Sequence, residues 1–343
     1  MSFESSSIIS VRDLVKEYTV SRRAEGFMGA VKYLFSRSYD TVRVVDQISF
    51  DIFPGELVGY IGKNGAGKST TIKMLTGVLV PTEGQICVNG LVPHQRRAEN
   101  GQNIGVVFGQ RTQLKWDIPV IESFRLLKEI YGVKTAVYNR NMEIFADVLG
   151  IGNLLAMPVR KLSLGQRMKC DLAASFLHNP KIIYLDEPTI GLDILVKENI
   201  RTFIKTINAE QNTTIILTTH DLDDIESICR RAIIIDSGKI VYDGGIDAIK
   251  ARFGKYKILN IEVKNNLHQD NTQTPFPNGA TVLEMGEHHI KLQLNKEEVS
   301  IAVITKILID RYDILDISME ETGIGSIVKQ IYQDGWHDPT KQH

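Results

Sequence analysis

The sequence predicts an α/β fold followed by a small α+β domain, and three observations carry that prediction. An apolar run, Leu57-Val58-Gly59-Tyr60-Ile61, enters a glycine-rich loop, Gly62 to Thr70 (GKNGAGKST), and a helical run, Thr71 to Leu75, leaves it. Two further apolar runs, Lys181 to Leu185 and Thr214 to Thr219, read as buried strands, each followed by residues with useful chemistry. After Gly244-Gly245 the pattern changes to short alternating strands, Leu259 to Val263, Ile290 to Leu294 and Leu315 to Met319, interleaved with helices.

The chain has 343 residues, enough for two domains. A formal net charge of -1 supplies no overall basic field, so nucleic acid is not an expected partner. Cys87, Cys170 and Cys229 are far apart, lack metal-ligand spacing and fit a reducing cytosol. The start, Met1 to Ser7, has no secretory pattern, and no apolar run reaches the length of a bilayer span. If this chain serves a membrane process, another chain is expected to supply the membrane part.

In chain order, Ile8 to Val20 reads as a first strand ending near Tyr18, and Thr41 to Phe53 as a second, with Val42, Val44, Ile48, Phe50 and Ile52 apolar. Pro54-Gly55 marks the turn into the loop strand. Between the first two strands lies an insert at about 21–40, where Phe27, Ala30, Val31, Leu34 and Phe35 fall on one helix face beside Arg22, Arg23, Lys32 and Arg37. Two readings stay open for it: a short helix packed on its own domain, or a basic amphipathic helix touching a membrane surface or membrane partner. Tyr18 is either an aromatic platform for adenine or a plain strand-end tyrosine.

GKNGAGKST matches Gly, four residues, Gly-Lys-Ser/Thr, in the strand–loop–helix context that pattern needs. Gly62, Gly65 and Gly67 permit a tight loop whose backbone N–H groups, Asn64 to Gly67 among them, point at phosphate oxygens. The helix N-terminus adds partial positive charge there. Lys68 is expected to reach the β- and γ-phosphates, Ser69 to hold Mg²⁺, and Thr70 to donate toward the α-phosphate.

Gln110 follows the predicted strand Ile104 to Phe108 and can offer its side-chain oxygen to a metal or an attacking water. A stretch with Trp116, Asp117 and Pro119 precedes a helical run, Ile121 to Ile130. LSLGQ, Leu162 to Gln166, opens a helical segment from Arg167 to Leu177, a second helix start suited to an anion. The strand Lys181 to Leu185 runs into two adjacent carboxylates, Asp186 and Glu187: one can hold Mg²⁺, the other can orient or deprotonate water. PTIGLD, Pro188 to Asp193, turns the chain, and His220 follows the β-branched strand that starts at Thr214. Taken alone, that histidine is either a phosphate contact or a satisfied loop residue.

In this order the motifs resemble the ATP-binding subunit of ABC transporters, over roughly residues 8 to 245. GKNGAGKST is similar to Walker A, Gln110 to the Q-loop glutamine, LSLGQ to the signature (usually LSGGQ), and IIYLDE to Walker B with Glu187 as catalytic glutamate. Gly191 to Asp193 resembles the D-loop, His220 the switch histidine and Tyr18 the adenine-stacking aromatic. The resemblance implies a P-loop NTPase fold of ABC type: a RecA-like core, an antiparallel β-subdomain, and a helical subdomain at about 111–178, within a nucleotide-binding domain of residues 1–253. It implies ATP and Mg²⁺, with Glu187, His220, Gln110 and Lys68 catalytic and Ser69, Gln110 and Asp186 on the metal. Two such domains would face head to tail, so that Ser163, Gly165, Gln166 and Asp193 reach nucleotide held by the Walker A of the other. A homodimer is expected in preference to a heterodimer. Separate multi-span permeases would place the chain peripherally at the cytoplasmic face of the cell membrane, with the Trp116 stretch against a coupling helix. Leu164 departs from the usual signature glycine; it keeps its N–H and resembles a subset of exporter-type ATPases, which leans the reading to export.

Residues 254–335 read as the accessory α+β domain, with a long polar loop from Asn265 to Gly279, a helix from Glu297 to Ile309 and another carrying Ile324, Ile327, Val328 and Ile331. His288-His289 reads as a hairpin tip rather than a metal site, and 336–343 as a mobile tail. Dimer stabilisation, regulation and bracing all stay open as roles for this domain. The alternative function is a soluble ABC ATPase acting on a ribosome or another macromolecular complex. Such proteins usually carry two ATPase modules, whereas one is visible here. The coiled coil of DNA-repair ATPases has no room in the hundred or so residues between Gly62 and Leu162.

Overall fold

Alternating apolar residues build the first two strands, β1 (Ile9–Ser21) and β2 (Tyr39–Ile52), which pair antiparallel with Ile9 opposite Ile52 and Tyr18 opposite Val42. The computed structural model describes residues 7–21, 39–109, 111–219, 221–253, 256–264, 276–321 and 323–334. Of the predicted insert at about 21–40, Ser21 ends β1 and Tyr39 and Asp40 begin β2, while 22–38 lie outside the described residues, as do Gln110, His220 and the polar tail. The chain divides into two units after Asp243, where the sequence reading ended its first domain at Phe253. No helix among the described residues is long and apolar enough to cross a membrane.

In the first unit, β3 (Leu57–Gly62) leads through the glycine-rich loop into α1 (Lys68–Leu75), and β4 (Glu83–Val88) returns to pair with β1 in a sheet of order β2-β1-β4. Next come α2 (Arg97–Asn103), β5 (Ile104–Phe108) and a helical segment of α3 (Val120–Ile130), α4 (Thr135–Val148) and α5 (Leu164–Phe176). The chain then alternates: β6 (Ile182–Asp186), α6 (Ile194–Gln211), β7 (Thr214–Thr218), α7 (Leu222–Ile228), β8 (Arg231–Asp236) and β9 (Lys239–Gly245).

These strands form a second sheet in the order β5-β6-β7-β3-β8-β9, in which β5, β6, β7, β3 and β8 pair parallel. Such a sheet is covered on both faces, which is why Ile182 to Leu185 and Ile215 to Leu217 read as unbroken apolar runs and are all buried. Parallel pairing also brings the carboxyl ends of β3, β5, β6 and β7 to one edge, where Asp186 lies opposite both Phe108 and Thr218. Ligands of open α/β sheets bind at that edge.

The second unit contains α8 (Ile246–Phe253), β10 (Tyr256–Val263), β11 (Ala280–Met285), β12 (His289–Asn295), α9 (Ile301–Arg311), β13 (Ile314–Glu321) and α10 (Ile324–Asp334). Its strands are antiparallel in the order β11-β12-β10-β13. Leu259, Ile261, Ile290 and Leu292 form a core with Ile304 and Leu308 of α9. The carbonyl of Asn295 accepts from the amides of Glu298 and Val299, closing a turn, so α9 starts later than Glu297. The apolar face read for the last helix, Ile324, Ile327, Val328 and Ile331, is buried.

Candidate functional site

The loop after β3 is held from several sides. The Ala66 amide donates to Lys63 O at 3.1 Å and Gly238 N donates to Ala66 O at 3.2 Å. Gly67 has φ 106, and a Cβ there would lie 2.7 Å from Val44 O, so only glycine fits as β2 passes. Thr71 Oγ1 donates to Gly67 O at 3.1 Å and is within 3.3 Å of the buried Tyr60 hydroxyl, tying the start of α1 to the core. Asn64 and Gly65 are exposed at the loop crest, while Ala66, Gly67 and Lys68 are buried.

Lys68 curls back over its own loop, where Nζ donates to Gly62 O at 2.5 Å and Lys63 O at 3.1 Å. Burial pushes its pKa down, and the nearby carboxylates of Glu187 and Asp186 oppose that shift. A cation so placed lies among backbone oxygens and within the field of the two acids.

Asp186 is where three strand ends meet. Ser69 Oγ donates to its Oδ2 at 3.0 Å, Thr218 Oγ1 donates to its Oδ1 at 2.5 Å, and its carbonyl accepts from Gly109 N at 2.7 Å. A hydroxyl beside a carboxylate is a hard oxygen donor set, and it fits Mg²⁺, which takes few protein ligands and keeps water and phosphate oxygens. Among the described residues no cluster of three or more His, Cys, Asp or Glu side chains competes as a metal site.

Glu187 has φ 56, in the left-handed region that few non-glycine residues adopt, and its amide donates to Thr218 O at 2.9 Å. The turn beyond it is braced from inside: Thr189 Oγ1 donates to the buried Asp224 at 2.5 Å, and Arg201 pairs with the same carboxylate at 2.6 Å. Asp193, read as a nucleotide contact, caps α6 by accepting from Val196 N at 2.9 Å.

The signature residues form a capping box. The Ser163 hydroxyl accepts from Gln166 N at 3.2 Å, and Gln166 Oε1 accepts from Ser163 N at 3.0 Å. That box starts α5 at Leu164, three residues before the predicted Arg167. A Cβ at Gly165 would come 3.2 Å from Val196 Cγ2, and one at Gly191 would come 3.4 Å from Leu164 Cδ2. Leu164 therefore packs toward the Gly191–Asp193 turn. Tyr18 is 37% exposed at the end of β1, with Lys16 Nζ 5.3 Å from its ring centroid. Trp116 is also exposed, under the Arg167 guanidinium at 5.4 Å.

Among the predicted site residues, Lys68, Ser69, Asp186 and Glu187 converge at the sheet edge. Ser163, Gly165 and Gln166 make their contacts with one another and with the segment after Glu187. Sequence reasoning missed Thr218, whose hydroxyl orients Asp186; a threonine ending a strand beside a strand that ends in acids was the available signal.

A glycine-rich loop at the carboxyl end of a central parallel strand, with a buried lysine and a hydroxyl–carboxylate pair beside it, defines a P-loop nucleoside triphosphatase. A family model described as ABC transporter matches residues 45–190. The ABC transporter ATP-binding protein NatA of Bacillus subtilis is 33% identical over 215 residues, which is 63% of this chain and 87% of that protein. An uncharacterized ABC transporter ATP-binding protein of Methanocaldococcus jannaschii is 32% identical over 253 residues, 74% of this chain and 89% of that one. A solved structure of an ATP binding subunit of an ABC transporter superposes with a TM-score of 0.60 at 26% identity, covering 72% of this chain and 94% of that chain. The chain belongs to the ATP-binding proteins of ABC transporters, and its activity is ATP hydrolysis.

Proposed function

We propose that two copies of this chain close head to tail around ATP at the cytoplasmic face of the cell membrane and drive export through separate permease subunits. The observation that carries this reading is the junction at Asp186, where Ser69 Oγ lies 3.0 Å from Oδ2 and Glu187 is the next residue. Ser69 and Asp186 would hold Mg²⁺, which when bound offsets the charge of the phosphate oxygens. Lys68 neutralises the β- and γ-phosphates, and the amides at the start of α1 take the remaining oxygens. Glu187 orients the attacking water and accepts its proton, while Gln110 and His220 read the γ-phosphate. Tyr18 stacks on the adenine.

Ser163, Gly165 and Gln166 engage nucleotide held by the other subunit, with Asp193 at the same seam. Ile194 and Leu195, in the first turn of α6, are 83% and 78% exposed, which suits a surface covered by a second subunit. The Leu164 signature and the α+β second unit resemble exporter-type ATPases and support export over import.

The test is Glu187→Gln. With ATP and Mg²⁺ the variant should bind nucleotide, hydrolyse it about 10²- to 10⁴-fold more slowly and elute as a dimer in size-exclusion chromatography. Wild-type turnover in that variant removes Glu187 from its role. Purification of the same variant from membranes in mild detergent should bring multi-span membrane proteins with it; their absence leaves the ATPase without its transport setting.

A further inference from the structure

Asp171 is a buried carboxylate that the hydrolytic chemistry described above does not use. It lies on α5 and is 5% exposed. Its Oδ1 accepts from Thr112 Oγ1 at 2.8 Å and from Gln113 N at 3.1 Å. Gln113 Nε2 donates in turn to the Asp171 carbonyl at 3.1 Å, and Leu114 N donates to Thr112 Oγ1 at 3.1 Å. The loop leaving β5 is therefore fastened to the middle of the signature helix by side-chain and backbone bonds together.

The ends of that loop are fixed as well. Toward the phosphate site, Arg111 N donates to Phe108 O at 2.9 Å, and Gly109 N donates to Asp186 O at 2.7 Å. Toward α3, Lys115 N donates to the buried Ser123 hydroxyl at 3.0 Å. One chain of contacts thus runs from Asp186 through the loop to Asp171, and along α5 to Ser163.

We propose that Asp171 is a positioning residue for ATP hydrolysis: it makes the loop after β5 and α5 move as one body, so that changes at the Asp186 edge set the position of Ser163 and Gln166. Burial raises its pKa to about 6, against the donors from Thr112 and Gln113 and the attraction of Arg167 one turn earlier. At neutral pH the charged form is kept in a site that disfavours it. A residue needed only for packing is better supplied by an apolar side chain. A cavity of about 130 Å³ adjoins the carboxylate, lined also by Val106, Phe108 and Arg111, and leaves room for the loop to shift.

The inference rests on the proposed role of Ser163 toward a second subunit's nucleotide. Its test uses the full chain with Asp171→Ala, Asp171→Asn, Thr112→Val and the Asp171→Ala/Thr112→Val double variant. Measured are kcat, KM for ATP, the Kd of a fluorescent ATP analogue and Tm. Asp171→Ala should lower kcat about 10- to 100-fold, with analogue affinity within about twofold of wild type. Asp171→Asn, whose amide oxygen still accepts from Thr112 and Gln113, should recover kcat to within about threefold of wild type. The double variant should be no slower than Asp171→Ala, as expected when both residues act through one contact.

Equal losses of kcat and analogue affinity, multiplicative effects in the double variant, or an Asn variant as slow as the Ala variant would each overturn the proposal. If Asp171→Ala does not fold, Thr112→Val decides: unchanged kcat overturns it, and a lowered kcat with intact affinity sustains it. Failure of the Glu187→Gln variant to dimerise with ATP counts against the dimer reading. Wild-type behaviour that is normal throughout the Asp171 series counts only against Asp171.

Discussion

α1 opens on Gly67, which has no side chain with which to cap a helix, whereas α5 opens on Ser163, locked to Gln166 in both directions. The first start is anchored to the core through Thr71 and Tyr60 and threaded under the Val44 carbonyl. The second rests on exposed side chains and packs on the turn that follows Glu187. Both are helix N-termini beside nucleotide motifs, with the same partial positive charge. The difference is one of prior commitment. α1 leaves its first amides to an anion and holds the loop in shape for it. α5 already satisfies two of its donors, so a phosphate there must displace part of a cap worth about 1 kcal/mol. In the proposed dimer, affinity for nucleotide belongs to α1, and α5 supplies a grip that engages and releases.

The hardest test of this contrast is Gly67→Ala. A Cβ at that position meets Val44 O at 2.7 Å, at a φ of 106 that alanine resists. The variant should lose roughly 2–4 kcal/mol of stability and most of its nucleotide binding. Gly65→Ala is the matched control, because its φ is 82 but nothing among the described residues lies within 4 Å of the new methyl. Its loss should be about 1–2 kcal/mol, from backbone strain alone. Thermal denaturation and nucleotide titration of the two variants side by side check this; equal losses would mean that the Val44 crossing does not shape the loop.

Ser163→Ala probes the other start and should have a smaller effect on the fold. Removal of the cap should lower stability by about 1 kcal/mol. Nucleotide affinity of the separate subunit should stay within about twofold, while ATP turnover falls by about tenfold or more, comparable to loss of a hydrogen bond to a charged group. Reduced affinity in the separate subunit, seen by titration at concentrations too low for dimerisation, would place Ser163 in the same functional class as α1.

The same contrast explains what was legible in the sequence. The loop, α1 and the strands β3, β5, β6 and β7 were readable because each has a local pattern, glycines at fixed offsets or aliphatic runs, whereas β8 was not read although Ala232 to Ile235 are buried. α4 was not read, because Asn141 occupies a core position; its amide is buried and donates to Leu177 O at 3.0 Å and Asn179 Oδ1 at 2.7 Å. α6 was missed because its first turn carries Ile194 and Leu195 facing outward, which blurs its amphipathic period. The start of α5 was placed late because LSLGQ reads as loop until Gln166 is seen to close back on Ser163. Asp171 could not be weighed at all: a mid-helix acid reads as solvent-facing, and its partner Thr112 is 59 positions away.

The far end of α5 gives the subtlest test. His178 follows the helix, and its ring stacks on Tyr131 with centroids 3.9 Å apart. Its Nε2 lies 3.1 Å from Ile104 O, a carbonyl that can only accept, so Nε2 carries the proton, and Nδ1 is buried with no partner among the described residues. Burial depresses the pKa to about 4, against the raising effect of the Ile104 bond. Between about pH 4 and the ordinary value of 6.5, the unfolded chain therefore binds more protons at this site than the folded one. The contribution is full above 6.5 and is lost as the pH falls through 4, to a total of roughly 3 kcal/mol. Asp171, with its pKa raised to about 6, runs in the opposite sense: the folded state holds the extra proton, and stability declines as pH rises through that window. His178 is thus best tested against a wild-type curve measured over the same range. His178→Phe keeps the stack and removes the titration. It should be about 1 kcal/mol less stable than wild type at pH 7.5, from the lost hydrogen bond, and should draw level or overtake it near pH 5 in thermal denaturation. Parallel curves would mean that His178 titrates alike in the folded and the unfolded chain. The ring beside Ile104 and Tyr131 would then carry no burial penalty on its charged form, and the joint between α5 and β5 would rest on the stack and the Ile104 bond alone.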